Sequence, residues 1–366
     1  MRVLIAPDSF KECLDAPDVA DAIAQGVRNA GAEPVLCPLA DGGEGTVHAL
    51  AAAANAPIKR TTVTGPIGEP VEAVWARLDN ASAIIETATT GGLAQIPTDR
   101  RNPERTSSCG LGELMRLLAD EGVEDILVGL GGSGTVDFGL GVAAALGMTF
   151  DPALPYPPPI GDLDLVRTAT PGDDLLDLRD RLNVTVLCDV RTRLTGADNA
   201  IRRFGPQKGA TPEQLTRLES RRDHWIDLLN SAGLLNDWAD EDGSGAAGGL
   251  GFGLRVLLNA RLRPGAPAIL DRLGVARLID IADLVITGEG QIDETSFAGK
   301  VVGSVLECAK RAGRPVCVIA GRSALPDPDP RVLTLSDLAG DPGDALADAS
   351  RWLAEAGRIA VESIRR

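Results

Sequence analysis

Lysine is scarce in this chain, and the placement of the few lysines suggests chemistry. Five lysines stand beside thirty-one arginines, so a general surface cation is usually an arginine here. Lys11, Lys208 and Lys300 lie in segments rich in Gly, Asp or Pro. A compact ammonium differs from a guanidinium where a phosphate oxygen must be met by a point charge. These three lysines are therefore candidates for anion binding, the alternative being that they fell in loops by chance.

Glycine-rich turns recur along the chain. They occupy residues 41–46, 129–135 and 243–249, and a shorter one covers residues 288–290. Backbone N–H groups in such turns can face an anion, helped by the N-terminus of a following helix. One such turn carries little weight because glycine turns are common, but their recurrence favours a phosphate-binding site. The glycines predicted to approach the phosphates are Gly42, Gly43, Gly131, Gly132, Gly245, Gly248 and Gly290.

Acidic side chains recur where the predicted strands end, which is where ligands gather in open α/β sheets. Mg²⁺ is usually held by one or two carboxylates together with substrate phosphates. A hydroxyl nucleophile needs a carboxylate to accept its proton. Each residue taken singly fits a helix N-cap or a turn, and only the co-occurrence with lysines and glycines favours a site. The residues are Asp8, Asp41, Glu44, Asp189, Glu289 and Asp293.

Two familiar nucleotide motifs do not apply. Residues 129–134 match GxGxxG after a strand, but the dinucleotide fingerprint also needs an acidic residue about 20 positions on, at the end of a second strand. Asp151 has that spacing and opens a Pro-rich segment instead. A P-loop needs Ser or Thr after its lysine, whereas Lys208 and Lys300 are followed by Gly and Val.

Composition excludes several classes of protein. A formal net charge of −16 argues against binding to nucleic acid or to anionic membranes, because both need a basic face. The N-terminal apolar run is too short for a signal peptide, and no membrane span is expected. Six scattered cysteines without a CxxC pair suit a reducing compartment, so we expect a cytoplasmic protein. The expected partners are small molecules, and the oligomeric state is not predicted.

Strands and helices alternate at both ends of the chain, and this alternation predicts a parallel sheet with helices between its strands. Asp15 is a candidate N-cap for the first helix, at 16–30. Five strands in this pattern make a flavodoxin-like sheet. They are predicted at 2–7, 34–38, 283–287, 315–320 and 331–335.

The middle of the chain breaks this alternation. Consecutive strands are predicted at 61–63, 71–78 and 83–87, which favours antiparallel or mixed pairing. Residues 151–173 are rich in Pro and Asp and are predicted to form a surface loop rather than an element.

The predicted fold class is therefore α/β with two domains. Residues 1–60 plus 256–366 are predicted to form the flavodoxin-like parallel-sheet domain. Residues 61–255 are predicted to form a mixed α/β domain inserted into it. The active site is expected in the cleft between the two domains.

In combination, these segments resemble the type I glycerate kinase family, over nearly the whole chain. The resemblance implies an ATP-dependent kinase acting on D-glycerate, with the product 2-phosphoglycerate favoured and Mg²⁺ as cofactor. It also implies a flavodoxin-like domain with an inserted α/β domain. The matching segments are residues 6–11, 38–46, 101–103, 131–133, 188–190, 204–212, 245–251, 288–290, 292–293 and 299–300.

The resemblance implies roles for the candidate residues. Asp189 is the first candidate for the base or the Mg²⁺ ligand, with Asp41 and Asp8 as second candidates. Lys11, Lys208 and Lys300 are expected to meet phosphates or the glycerate carboxylate, and Arg101 to clamp a carboxylate. The glycines named above are expected to bind ATP. The residues predicted to bind substrate are Asp8, Ser9, Arg101, Asn102, Ser133, Glu289 and Asp293.

Several positions depart from the family pattern. Val136 and Phe138 replace a usual Asn and Gly, and Thr295 stands where Gln is common. These departures leave open a kinase for a related small hydroxy acid. A non-catalytic sensor of sugar acids is the alternative from another class, and retention of all three loop lysines speaks against it. Which glycerate hydroxyl reacts is not predicted from the residues alone.

Overall fold

The computed structural model describes residues 1–11, 13–234, 238–325 and 332–365. The chain divides into two compact units. Unit 1 comprises Met1–Asp41, His48–Pro57 and Pro264–Arg366, and unit 2 comprises Gly42–Val47 and Ile58–Arg263. The predicted domain boundaries lie within about eight residues of these limits, except that the short segment from Gly42 to Val47 belongs to unit 2.

The strands run in chain order as follows: β1 (Arg2–Ile5), β2 (Glu33–Leu36), β3 (Ile58–Thr64), β4 (Pro70–Arg77), β5 (Ser82–Glu86), β6 (Asp125–Gly129), β7 (Thr149–Asp151), β8 (Thr168–Thr170), β9 (Asn183–Leu187), β10 (Arg261–Arg263), β11 (Leu284–Ile292), β12 (Val316–Ser323) and β13 (Val332–Thr334).

The α-helices are α1 (Ala16–Asn29), α2 (Thr46–Ala53), α3 (Thr87–Gly91), α4 (Cys109–Asp120), α5 (Leu140–Ala145), α6 (Asp173–Arg181), α7 (Ala200–Phe204), α8 (Pro212–Ser231), α9 (Ala246–Leu258), α10 (Gly265–Leu273), α11 (Val275–Asp280), α12 (Val301–Arg311), α13 (Leu335–Ala339), α14 (Pro342–Ala347) and α15 (Ala349–Arg365). Short 3-10 helices cover Leu93–Gln95, Thr98–Arg100, Ile160–Leu165, Pro206–Lys208 and Glu294–Phe297. Within the described ranges, no helix combines the length and apolar character needed to cross a membrane.

Unit 1 is built on a parallel sheet with the strand order β13-β12-β11-β1-β2. This is the doubly wound order of flavodoxin-like folds, in which the strand order reverses at one crevice and ligands bind at the carboxyl ends of the strands beside it. Here the reversal falls between β1 and β11. The predicted flavodoxin-like sheet is confirmed.

Helix α1 shows how the sequence specifies this unit. Asp15 caps its N-terminus, accepting a hydrogen bond from the Asp18 N–H at 3.0 Å, as the sequence predicts. The apolar side chains of the helix fall on one buried face that includes Val19, Ile23 and Val27. α1 packs against α15 at close range, because a Cβ on Gly26 would stand 1.7 Å from the Ala354 carbonyl oxygen. Only glycine permits that approach.

Unit 2 is built on a mixed sheet with the strand order β10-β9-β6-β5-β4-β3. β3, β4 and β5 pair antiparallel, whereas β5, β6, β9 and β10 pair parallel. The core between sheet and helices contains the fully buried Trp225, Phe138 and Phe252. The predicted mixed pairing in the middle of the chain is confirmed, and with it the α/β fold class.

Two sequence predictions about local structure are wrong. Residues 151–173 are not a plain surface loop: β7 pairs antiparallel with β8, and the 3-10 helix between them buries Ile160 and Leu163. Residues 288–290 are not a turn but the interior of β11, where Gly288 pairs with Ile319 of β12. In both segments the local Pro, Asp or Gly content is overridden by packing and strand pairing.

Candidate active site

Asp8 lies just past β1, at the crevice where the strand order of unit 1 reverses. Its N–H donates to the Gly288 carbonyl of β11 at 2.8 Å, which fixes it beside the neighbouring strand. The Ser9 N–H donates to its carboxylate Oδ1 at 2.7 Å. The side chain is 9% exposed. A nearly buried carboxylate therefore stands where this fold binds ligands.

Neighbouring charges perturb this carboxylate. Burial, followed by the negative charge of Asp41, raises the pKa of Asp8 to about 7, and Glu289 adds to the rise. Burial also raises the pKa of Glu289, against the hydrogen bond from Ser296 and the charge of Lys300. Within the described residues, Glu289 Oε1 is buried without a hydrogen-bond partner. Unit 1 thus gathers three predicted acidic residues into one electrostatic cluster, in which Asp8 can hold or release a proton near neutral pH.

Two of the three predicted site lysines, Lys11 and Lys300, lie in unit 1. Lys11 is exposed, and its positive charge acts on both Asp8 and Glu289. Lys300 precedes α12, and its Nζ donates to Thr295 Oγ1 at 3.1 Å. The backbone of Gly290 passes close to the N–H of Lys11, since a Cβ there would stand 3.3 Å away. The ammonium groups are placed to offset the acidic cluster.

Asp293 has a local structural role. Its Oδ1 accepts hydrogen bonds from the N–H groups of Thr295 and Ser296 and caps the following 3-10 helix. The hydrogen bond from Thr295 Oγ1, at 2.6 Å, lowers the pKa of Asp293. Thr295 therefore bridges Asp293 and Lys300, a link that the sequence analysis did not foresee.

In unit 2, Lys208 is 3% exposed rather than displayed on a loop. Its ammonium donates to Ser133 Oγ and to the Thr135 carbonyl, each at 2.9 Å. Burial lowers the pKa of Lys208 to about 7, and the charge of Asp137 opposes the shift. Lys208 thus holds the segment that carries Ser133, another of the predicted site residues.

Asp137 is fully buried and was not singled out from the sequence. Its carboxylate accepts from Ser108 N–H at 2.7 Å, Ser108 Oγ at 2.8 Å and Gly141 N–H at 3.1 Å. Burial raises its pKa despite these bonds. Asp137 therefore ties the starts of α4 and α5 to the glycine-rich segment before it.

The glycine-rich segments of unit 2 pack backbone against backbone. A Cβ on Gly131 would stand 2.5 Å from the Cα of Gly43, and the Gly131 N–H donates to the Gly42 carbonyl at 3.3 Å. A Cβ on Gly248 would stand 2.1 Å from the Thr135 carbonyl oxygen. The structure thus brings the glycine-rich turns 41–46, 129–135 and 243–249, which the sequence predicts to bind phosphate, into contact with one another at these two points. Glycine is needed there because no side chain fits.

Arg101 and Asn102 differ in whether their side-chain polar atoms already have hydrogen-bond partners within the protein. Within the described residues, Arg101 Nε is buried without an acceptor, so it remains available to a carboxylate. Asn102 Oδ1 already accepts from Gln214 Nε2 at 2.9 Å and from the Glu104 N–H at 3.1 Å. Asn102 therefore shapes the segment around Arg101.

Asp189 is exposed and lies two residues beyond β9, in unit 2. No cluster of three or more His, Cys, Asp or Glu side chains in the described chain is placed to hold a metal ion. Mg²⁺ that arrives with a nucleotide needs only one or two protein carboxylates. A single exposed carboxylate such as Asp189 fits that requirement. The predicted position of the active site between the domains stays a prediction.

The fold and these side chains together define an α/β protein with a candidate site for a small anionic ligand. The comparison with known proteins gives the family. A sequence model described as the glycerate kinase family matches residues 3–364, and the chain belongs to that family. The predicted class of enzyme, an ATP-dependent kinase, is thereby confirmed, whereas the type I subtype stays a prediction.

Individual relatives agree over most of their length. Glycerate kinase of Haemophilus influenzae is 41% identical over 326 residues, covering 88% of this chain and 86% of the relative. Glycerate 2-kinase of Escherichia coli is 40% identical over 328 residues, covering 88% and 85%. A crystal structure of a candidate glycerate kinase 2 from Salmonella typhimurium LT2 has a TM-score of 0.86 at 38% identity, covering 100% of this chain and 98% of that chain.

Proposed function

We propose that the protein transfers the γ-phosphoryl group of ATP to the 2-hydroxyl of D-glycerate, giving 2-phosphoglycerate. Family membership supports the acceptor, and the similarity to the E. coli protein named glycerate 2-kinase supports the position. The observation that carries the chemistry is the nearly buried Asp8 at the crevice of the parallel sheet, with its raised pKa.

Asp8 is the proton acceptor in this proposal. A general base works best when its pKa lies near the operating pH, and burial with Asp41 and Glu289 raises the pKa of Asp8 to about 7. Lys11 and Lys300 supply positive charge beside this cluster for the glycerate carboxylate or the transferred phosphoryl group. Asp189, exposed in unit 2, is assigned to metal binding rather than to proton transfer.

ATP and Mg²⁺ are the proposed cofactors. When bound, Mg²⁺ neutralises charge on the nucleotide phosphates. The backbone of the glycine-rich segments of unit 2 approaches the nucleotide, while Lys208 and Asp137 hold the segment around Ser133 in place. Arg101 contributes a guanidinium to the acidic end of a substrate.

The test is a coupled assay with ATP and Mg²⁺ against glycerate, tartronate, lactate and threonate. The proposal expects the highest kcat/KM with D-glycerate, and phosphorus NMR of the product should show 2-phosphoglycerate. A product of 3-phosphoglycerate would refute the position, and a clear preference for another acid would refute the acceptor. If none of these acids supports ATP turnover, the proposed function as a whole is refuted.

A further inference from the structure

Glu86 is a buried carboxylate without a place in the proposed reaction. It is the last residue of β5 in unit 2 and is 2% exposed. Its Oε2 accepts a hydrogen bond from the Val47 N–H at 3.4 Å, and the nearby backbone N–H groups of Gly45 and Thr46 favour the ionised carboxylate by lowering its pKa. An internal carboxylate thus accepts from the Val47 N–H in the first turn of α2.

This contact changes what segment 42–47 can do. The sequence predicts that N–H groups at this helix start face a phosphate, whereas the Val47 N–H donates to Glu86 and the Thr46 N–H donates to the Gly43 carbonyl at 3.4 Å. Thr46 Oγ1 donates to the Gly43 carbonyl at 2.7 Å, which closes the turn further. The turn is therefore held by the protein itself, and its shape depends on Glu86.

Thr87, the residue after Glu86, contacts a second glycine-rich segment, 129–135. Thr87 Oγ1 donates to the Gly131 carbonyl at 2.8 Å. Gly131 in turn packs on Gly43 and donates to the Gly42 carbonyl. Two adjacent residues, the last of β5 and the first of α3, therefore contact both glycine-rich segments.

We propose that Glu86 is a positioning residue for ATP: its ionised carboxylate holds segment 42–47 in the shape that accepts the nucleotide. The inference rests on the proposed function in taking ATP as the ligand of these glycines. Glu86 acts through backbone N–H groups and does not itself touch substrate.

The ionisation of Glu86 changes near neutral pH. Burial raises the pKa of Glu86 to about 7, the three N–H groups oppose this, and the negative charge of Glu44 adds to the rise. The adjoining α3 and the end of β6 present Thr87, Thr90 and Gly129, none of which titrates. The ionised carboxylate, which binds the N–H groups better, therefore predominates above about pH 7.

The test compares Glu86→Gln with wild type by calorimetric titration of a non-hydrolysable ATP analogue in the presence of Mg²⁺. Glutamine keeps the size but loses the charge, and a hydrogen bond to a charged group is the stronger kind, so we expect the Kd to rise roughly tenfold or more. The wild-type Kd should fall as the pH rises through about 7, and this pH dependence should be weaker in Glu86→Gln, where Asp8 and Lys208 still titrate near pH 7. Glu72→Gln is the matched control, since Glu72 is an exposed residue of the neighbouring β4 that pairs with Arg60.

The titration does not require an acceptor, so it can fail while glycerate phosphorylation stands, and the reverse also holds. Equal affinity and equal pH dependence in a folded Glu86→Gln would overturn the proposal. If Glu86→Gln does not fold, the proposal is tested instead with Glu86→Asp and with amide hydrogen exchange of the wild-type protein. Protection of the Val47 N–H should then decrease as the pH falls below about 7, and protection that stays constant would overturn the proposal.

Discussion

The buried ammonium of Lys208 allows a prediction about stability whose sign follows from its environment. Burial lowers its pKa from 10.5 to about 7. At about 1.4 kcal/mol per pKa unit, this corresponds to about 5 kcal/mol of penalty for carrying the charge inside. Between these two pKa values the unfolded chain binds more protons than the folded chain, so the unfolding free energy contributed by Lys208 rises with pH and is lost as the pH falls toward 7.

Replacement of Lys208 by Met removes this titration while keeping a long apolar side chain. Over the two pH units from about 7 to about 9, wild type should gain about 2 kcal/mol of unfolding free energy relative to Lys208→Met. Urea unfolding at both pH values measures the difference directly. Comparison of variants cancels the titration of all other groups.

Lys310→Met is the control, because Lys310 is exposed in the last turn of α12. Its pH dependence should match that of wild type. Parallel stability curves for wild type and Lys208→Met would refute the reasoning, since they would mean that burial does not perturb the ammonium. A difference of the opposite sign would mean that a buried anion stabilises the charged form instead.

Three further contacts give expected outcomes. Hydrogen bonds, the strongest of them from Arg217, lower the pKa of Glu104 to about 2. Because the Arg217 side chain is half exposed and solvent screens its charge, Glu104→Gln should cost about 1 to 2 kcal/mol in urea unfolding at neutral pH. That deficit should shrink as the pH falls from about 4.5 toward 2, and a constant deficit would contradict the assignment. Gly248→Ala places a methyl group 2.1 Å from the Thr135 carbonyl oxygen at a φ of +70° and should cost at least about 2 kcal/mol by thermal melting, unlike a surface glycine. Asp8→Asn should lower kcat on the order of a hundredfold with little change in melting temperature; near-normal turnover would exclude Asp8 as the base.

The sequence predicts the parallel sheet of unit 1 well because its signals are local. Short apolar strands separated by an amphipathic helix with an Asp15 cap specify the first β-α-β unit almost by themselves. The sequence also contains a cap signal at α8, where Thr211 and Gln214 form a capping box and Pro212 lies in the first turn of the helix. That helix could have been predicted.

The errors arise where distant parts of the chain decide the outcome. β7 and β8 are three residues each and pair with one another across sixteen residues, so no local periodicity reveals them. Gly288 and Gly290 look like a turn, yet β11 continues through them because β12 pairs alongside. Strand pairing of this kind depends on neighbours far away in sequence.

The candidate site likewise contains features that the sequence predicts and features that only the folded chain reveals. Lysines, glycines and strand-end carboxylates could be selected by type and spacing, and Asp8, Asp41, Lys11 and Glu289 do come together in unit 1. Whether such a residue meets ligand or protein cannot be told from type. Lys208 is in contact with Ser133 and Thr135 in the interior, and burial is a property of the folded chain.

Glu86, Asp137 and Lys208 share one arrangement: each is a buried ionisable group hydrogen-bonded to the backbone of a glycine-rich segment or of the helix start beside it. Buried charges are weak contributors to stability, because desolvation opposes the attraction, and well-packed apolar groups often do as well or better. What a buried carboxylate or ammonium provides instead is several directed hydrogen bonds at one point, in a medium where leaving them unmade is costly. Glycine segments need that restraint, because their own backbones permit many shapes. The buried ionisable groups and the glycines therefore act together. The glycines let the backbone approach a ligand closely, and the buried groups hold that flexible backbone in one conformation.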